Sequence, residues 1–391
     1  MVSPSHRVGT SVAVLRCAEE LEQMRDVWGD WPRPDADLDF FETVVESRAE
    51  VVAPHVLLVT RGRERVGTVV ARLERVPLDC KIGYRTIYKP LVRAITVVPG
   101  GVEGADDSDV ASAMIQEFRA ELARGEADLV NLAHLPIASP LCRLALEKPG
   151  SAFRQHATRT DPHWTGQIPA SLDTYLRGRS RRTRQNVRRY GKRLLREFGD
   201  RVSVEVLRSG ADIERVFREI DAVAEKTYQR RLGVGFADTK EQRRLVELGL
   251  KRDWFRAWVL LIDGEPRAFW HGMAYHGTFF IGSPGYDPAL ATHHVGMFLQ
   301  MRMIEDLCRD PAVFAIDYGF GDAQYKRSFA DESRDEADVR IFAPSVRGTW
   351  LELSWTASLV LDRIARWVVT RVGIADRLKR AARRGSVILS G

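Results

Sequence analysis

The sequence predicts an α/β chain of the α+β kind: two mixed sheets in tandem, each flanked by helices, with a helical tail behind them. Three observations predict it. The chain has 391 residues, 45% of them hydrophobic, which suits two domains of ordinary size and can fill two cores. From Ala257 to Phe329, short apolar runs alternate with glycine turns, and one segment of helical period interrupts them. From Ser345 onward, apolar residues and arginines interleave as they do along an amphipathic helix.

Residues 11–165 form the first unit. Ser11–Leu15 is a strand, Glu19–Trp28 a helix broken by Asp30–Pro34, and Asp39–Ser47 a second helix. Val56–Thr60 and Val66–Leu73 are strands, and Ile82–Val98 is strand mixed with loop. The run Pro99-Gly100-Gly101-Val102-Glu103-Gly104 reads as a turn. Ser108–Arg124 is an amphipathic helix, Asp128–Leu132 a strand and Pro140–Glu147 a helix.

Pro162–Pro169 is the expected seam, giving domains 1–165, 166–344 and a tail 345–391. Beyond it, Ser171 caps a helix. The next helix sets Val187, Tyr190, Gly191, Leu194, Leu195 and Phe198 inward and its arginines outward, until Gly199-Asp200 ends it. Val202–Val206 is a strand and Ala211–Tyr228 a long helix, and Asp238 with Glu241 suggests a capping box for a helix through Leu250. Trp258–Ile262 and Arg267–Met273 are strands around the turn Asp263-Gly264-Glu265-Pro266. His276-Gly277 turns the chain into Thr278–Ile281. After Tyr286-Asp287-Pro288, a helix entered near Gly296 buries Phe298, Met301, Met303, Ile304 and Leu307. Val313–Ile316 is a strand, and Asp317-Tyr318-Gly319-Phe320-Gly321-Asp322 a glycine-punctuated turn before Tyr325-Lys326. The tail, with Leu353, Leu359, Leu361, Ile364, Trp367, Val368, Val372 and Ile374 between arginines and Lys379, Arg380, Arg383 and Arg384 behind, reads as one or two basic amphipathic helices.

Cys17, Cys80, Cys142 and Cys308 are scattered, without the paired spacing of a zinc site or a disulfide framework. They read as reduced cysteines of a cytoplasmic protein. No metal is expected. The first residues lack the apolar segment of a signal peptide, and no apolar run approaches the roughly 20 residues that span a bilayer. The net charge of +6 is concentrated. Residues 171–200 carry ten Arg and Lys against three Asp and Glu, and residues 362–391 carry eight against two. Two basic segments therefore need explaining, rather than a uniformly basic protein.

A helix that starts just after a strand leaves backbone N–H groups unpaired, a setting that suits a pyrophosphate. The succession from Tyr286-Asp287-Pro288 through Gly296, Leu299, Asp317, Gly319 and Gly321 to Tyr325-Lys326 resembles the GNAT acyltransferase superfamily. More narrowly it resembles the CelD/BcsL-type, cellulose-biosynthesis-like acetyltransferase domain, a neighbour of the FemABX transferases. Tyr175-Leu176 and the basic run Arg181–Arg189 match that family's opening helix, so the likeness covers about residues 165–335. Residues 11–165 lack the Tyr-Lys and glycine signature and read as a degenerate GNAT-like repeat.

The resemblance implies an N- or O-acyltransferase. Its donor would be acetyl-CoA or another acyl-CoA. Its acceptor would be a small molecule or a cell-envelope or polysaccharide precursor. Transfer would be direct, because no cysteine falls at a motif position. The loop through His294, Val295, Gly296 and Met297 would hold the donor's pyrophosphate; otherwise Gly296 is a simple helix-entry glycine. Relatives tend to carry Ser-Pro where this chain has His294-Val295, so His293 and His294 either donate to phosphate or stand in solvent. Tyr325 would protonate the leaving thiol or else anchor the turn. Lys326 would bind a phosphate or carboxylate, or pair with Asp322. Asp317 would orient Lys326 or take the acceptor's proton, or cap a turn. His271 is a general base or a core histidine. The arginine face of 179–196 is a solvated surface, an anion site, or a tRNA site if the donor is an aminoacyl-tRNA; nucleic acid is expected only in that last case. The tail 345–391 lies on the inner membrane surface or packs on its own protein. A non-catalytic membrane-surface partner of an envelope-polymer machine is the reading from another class.

Overall fold

The computed structural model describes residues 9–83, 85–147, 159–227, 230 and 235–371. Tyr228, at the end of the expected long helix, and Val372, Ile374, Lys379, Arg380, Arg383 and Arg384 of the tail lie outside the described residues.

The first half runs β1 (Thr10–Leu15), α1 (Ala18–Glu22), α2 (Leu38–Ser47), β2 (Val51–Arg61), β3 (Glu64–Pro77), β4 (Cys80–Ile82), β5 (Arg85–Tyr88), β6 (Leu91–Glu103), α3 (Ser108–Ala123), β7 (Leu129–Pro136), α4 (Pro140–Glu147) and β8 (Arg159–Gln167). The second runs α5 (Leu172–Arg177), α6 (Arg181–Phe198), β9 (Val202–Leu207), α7 (Ile213–Ala224), α8 (Lys240–Lys251), β10 (Phe255–Ile262), β11 (Glu265–Tyr275), β12 (Thr278–Ile281), β13 (Gly285–Tyr286), α9 (Val295–Leu307), β14 (Ala315–Phe320), α10 (Gln324–Phe329) and β15 (Glu332–Phe342). The long helix α11 (Val346–Arg371) follows.

Among the described residues, thirteen strands form one mixed sheet in the order β1-β2-β3-β6-β7-β15-β8-β14-β12-β11-β10-β9, with β13 paired to β11; β4 and β5 form a separate hairpin. The two halves exchange their last strands. β8, which ends the first half, pairs antiparallel with β14 of the second. β15, which ends the second half, pairs antiparallel with β7 of the first and with β8. The seam expected at Pro162–Pro169 thus falls in β8 and the segment behind it, at the centre of the sheet.

Alternation along the strands sets the two faces. On one face, α3 and α4 cover Ile95, Val97, Val130 and Leu132, while α5, α6 and α9 cover Trp258, Leu260, Trp270 and Ile316. On the other, Trp28, Trp31 and Phe41 cover Val56, Val70 and Val98, and α7 and α8 cover Phe255, Ala257, Val259 and Phe269. α11 packs through Leu351 onto Leu78, Cys80, Val92 and Phe342.

Several sequence readings change. The first helix is only Ala18–Glu22, and a 3₁₀ turn at Arg25–Val27 takes up the rest. The run Pro99–Glu103, read as a turn, stays within β6: the β3–β6 register slips between Val69 and Ala71, so its glycines form a bulge rather than a reversal. Gly319 likewise lies inside β14, at a register shift against β8, with φ +75°. The β10–β11 turn is two residues, Asp263 and Gly264, both at positive φ, which leaves Glu265 and Pro266 in the strand. Thr239, not Asp238, caps α8; Asp238 instead takes Arg243. Leu195, expected inside, is 43% exposed, because Leu194 occupies the inward position of α6.

Candidate active site

β12 and β14 run parallel for three pairs, the last being Phe280 with Asp317. They then part. The chain after β12 swings to β11, where Gly285 and Tyr286 pair with Phe269 and Ala268. β14 goes on beside β8, with Gly319 and Phe320 opposite Trp164 and His163. A wedge opens between the two strands, where neither pairs with the other.

The start of α9 stands beside this wedge. Asp287 caps the 3₁₀ turn Pro288–His293 through Ala289 N–H, and Arg267 and Lys226 hold its carboxylate. His294 then adopts a left-handed conformation and starts α9 without a side-chain cap. Its carbonyl takes the N–H groups of Met297 and Phe298. The N–H groups of Val295 and Gly296 precede any intrahelical acceptor and carry the positive end of the helix dipole. A Cβ on Gly296 would meet Tyr286 at 3.4 Å, ordinary contact. The Val295 side chain is buried, so only its backbone can serve a ligand; Met297 packs partly into the core. His294 stacks on Tyr190 of α6 with ring centroids 3.6 Å apart. Burial and the charges of Arg189, Arg193 and His293 lower the pKa of its imidazole. His293 is bound to Glu197 at 2.9 Å.

Seven cations of α6 are exposed: Arg181, Arg182, Arg188, Arg189, Lys192, Arg193 and Arg196. None has a carboxylate partner among the described residues, although elsewhere in the chain most arginines do. This uncompensated face adjoins the open start of α9.

Trp270 links that helix start to Tyr325. Its indole N–H donates to the Gly296 carbonyl at 3.0 Å, and its ring meets Tyr325 edge-on at 5.8 Å. The Tyr318 ring centroid lies 6.4 Å from that of Tyr325, and Tyr318 shares a 2.7 Å hydroxyl bond with Tyr175. The Lys326 ammonium donates to the carbonyls of Gly319 and Phe320 at 3.1 and 2.8 Å and so braces the end of β14. Burial lowers its pKa, against the pull of Asp317, Asp322 and Asp161. Asp322 pairs with Arg327 instead.

Asp317 faces the opposite side of the sheet. It begins a chain of alternating charges that crosses β14, β8 and β15: Arg33 to Asp317 at 2.7 Å, Asp317 to His163 at 2.8 Å, His163 to Glu336 at 2.9 Å, and Glu336 to Arg334 at 2.7 Å. Burial disfavours the charged ring of His163, but the two carboxylates outweigh it and raise its pKa. Burial likewise works against Asp317 and Glu336 as anions. Hydrogen bonds from His163, with Arg33 beside Asp317 and Arg334 on Glu336, reverse that and lower both. His271, on the same face, lies apart from this chain. Phe236, Phe255 and Phe269 surround it, its Nε2 has no partner among the described residues, and burial takes its pKa down to about 4. A Cβ on Gly282 would strike its ring, so His271 supports the chain just where it leaves β12. Arg33, His163 and Glu336 carried no sequence signal. Arg33 and Asp317 are 284 residues apart, and only the fold joins them.

The first half has a similar layout with its helix start closed. β6 and β7 run parallel up to Val97 and Leu132, where their pairing ends, and α3 follows β6. Here Asp107 caps α3 by accepting from Asp109 and Val110, and it pairs with Arg61. A carboxylate therefore occupies the place where a phosphate would sit. Among the described residues no cluster of His, Cys, Asp and Glu could hold a metal ion.

The acetyltransferase (GNAT) domain family matches residues 181–327, from the first turn of α6 to α10. This stretch is an acetyltransferase domain of the GNAT type. Among solved structures, FemX is similar to this chain with a TM-score of 0.57 and 12% identity, over 84% of this chain and 97% of FemX. A conserved protein of unknown function from Bacteroides thetaiotaomicron VPI-5482 is similar with a TM-score of 0.51 and 11% identity, over 85% of this chain and 100% of that one. A tandem GNAT protein from the clavulanic acid biosynthesis pathway has a TM-score of 0.48 and 12% identity, over 86% of this chain and 99% of its own. At such identities the likeness is one of fold. No curated protein matches the chain.

Proposed function

We propose that this protein transfers an acyl group from acyl-CoA, acetyl-CoA foremost, to an amine acceptor. The observation that carries the reading is the wedge after Phe280 and Asp317 together with the uncapped start of α9 beside it. The donor's pyrophosphate sits on the N–H groups of Val295 and Gly296, within the field of Arg189 and Arg193. Its pantetheine arm lies along Gly285-Tyr286 as an added strand, which brings the thioester to the apex. The acceptor enters from the face of Asp317.

The nitrogen attacks the thioester carbonyl, the C–S bond breaks, and the leaving thiolate takes its proton from Tyr325. The acceptor's proton goes to the Asp317 side. A carboxylate held below its ordinary pKa is a weak base. It takes a proton readily from the acidified ammonium of a tetrahedral adduct and poorly from a hydroxyl. This favours N-transfer over O-transfer. A cell-envelope or polysaccharide precursor as acceptor, and the CelD/BcsL-type branch, rest on the sequence resemblance alone.

Calorimetric titration with acetyl-CoA and longer acyl-CoAs tests the donor. Binding that is lost in folded Gly296→Glu supports the reading; absence of any CoA binding in the wild type sinks it. The unpaired arginine face of α6 favours one second reading, an aminoacyl-tRNA donor. That reading requires tRNA binding that weakens steeply with salt.

A further inference from the structure

Helix α11 turns a continuous apolar stripe to solvent. Val346, Trp350, Leu353, Val360, Ile364 and Trp367 recur at steps of three, four and seven residues, so they share one side of the helix. They are 91, 61, 54, 43, 52 and 56% exposed, while Leu351 and Ser358 on the other side are buried. Among the described residues, seven of the large hydrophobic side chains that stand exposed belong to this one helix. The β4–β5 hairpin widens the patch. Trp350 donates to the Tyr88 hydroxyl at 3.3 Å, Arg347 to the Leu91 carbonyl at 2.8 Å, and Gly83 N–H to Asp362 at 2.7 Å, so the hairpin lies along the helix. Ile87, Tyr88 and Leu91 are 56, 39 and 61% exposed.

Cations edge this surface. Arg85 and Arg363 are exposed without a carboxylate partner among the described residues, and Lys89 is exposed beside Asp79. The sequence from 362 to 391 carries eight Arg and Lys against two Asp and Glu. No described helix is long and apolar enough to cross a membrane.

We infer that α11 and the β4–β5 hairpin form a docking face for an anionic lipid surface, with the helix lying in the plane of the headgroups. Two tryptophans, one near each end of the stripe, suit the boundary between water and acyl chains. The single sign of the unpaired charge selects an anionic partner and opposes the pairing of two copies through this face in parallel. The inference is independent of the acyl-transfer reading.

The full-length protein is sedimented with vesicles of equal parts phosphatidylcholine and phosphatidylglycerol, and with pure phosphatidylcholine. The expected result is binding to the mixed vesicles that weakens with salt, with little binding to the neutral ones. Trp350→Glu with Leu353→Glu should weaken it at least about tenfold. Val206→Glu, an exposed change on β9, should leave it intact. Both variants should match the wild type in circular dichroism. Failure to bind either vesicle overturns the inference, as does equal binding by the double variant. Light scattering that finds a wild-type dimer split by the double variant, with no vesicle binding, overturns it in favour of a second copy.

Discussion

His163 donates from both ring nitrogens to carboxylates, which requires the imidazolium. Its folded pKa is raised, so its stabilising contribution is complete below the ordinary imidazole value of about 6.5 and fades as pH rises through the folded value. Asp317 and Glu336 are depressed, so theirs is present above the ordinary carboxylate range and fades as pH falls through their folded values. Urea midpoints should therefore decline on the alkaline side in the wild type. His163→Gln, which takes the cation from between two buried carboxylates and leaves them only Arg33 and Arg334, should cost about 3 kcal/mol at pH 6 and less at pH 9. An equal loss at both pH values would refute the charge assignment. Tyr325→Phe should lower kcat by about a hundredfold while the acyl-CoA affinity stays put. A rate within twofold of wild type would remove Tyr325 from the chemistry. Tyr325 stands out in the sequence because a Tyr-Lys pair follows a strand with a glycine turn; its part in the chemistry is what Tyr325→Phe tests. His163 does not stand out, since its partners come from strands β14 and β15, far along the chain.

The starts of α3 and α9 show how one residue decides what a helix end can hold. Asp107 fills the first with its own carboxylate, and His294, turned aside onto Tyr190, leaves the second open. Gly296→Ala should bind acyl-CoA within a few-fold of wild type, because the added methyl meets only Tyr286 at contact distance. Gly296→Glu should abolish binding through its charge, and parallel calorimetry of the two separates space from electrostatics. Helices with strong apolar spacing, such as α7 and α9, could be read from sequence because packing and propensity agree there. The glycines of β6 and β14 misled, because a bulge and a reversal use the same residues, and only pairing to a neighbouring strand distinguishes them.

The exchanged strands make the halves interdependent. Fragments 1–167 and 168–391 should each fail to give a soluble, cooperatively melting domain, and co-expression should give a complex that survives gel filtration. A stable 1–167 fragment on its own would refute this. Two α/β units in succession were legible from the order of elements. The exchange was not, because strand order depends on pairing between β7 and β15, whose partners lie some two hundred residues apart. That separation also governs how the protein emerges from the ribosome. The edge of β7 waits, with its N–H and C=O groups unpaired, until β15 has been translated. During that interval a flat apolar strand is open to any other nascent chain. Expression at lower temperature or with extra chaperone should raise the soluble yield more for this chain than for a single-unit acetyltransferase of similar stability.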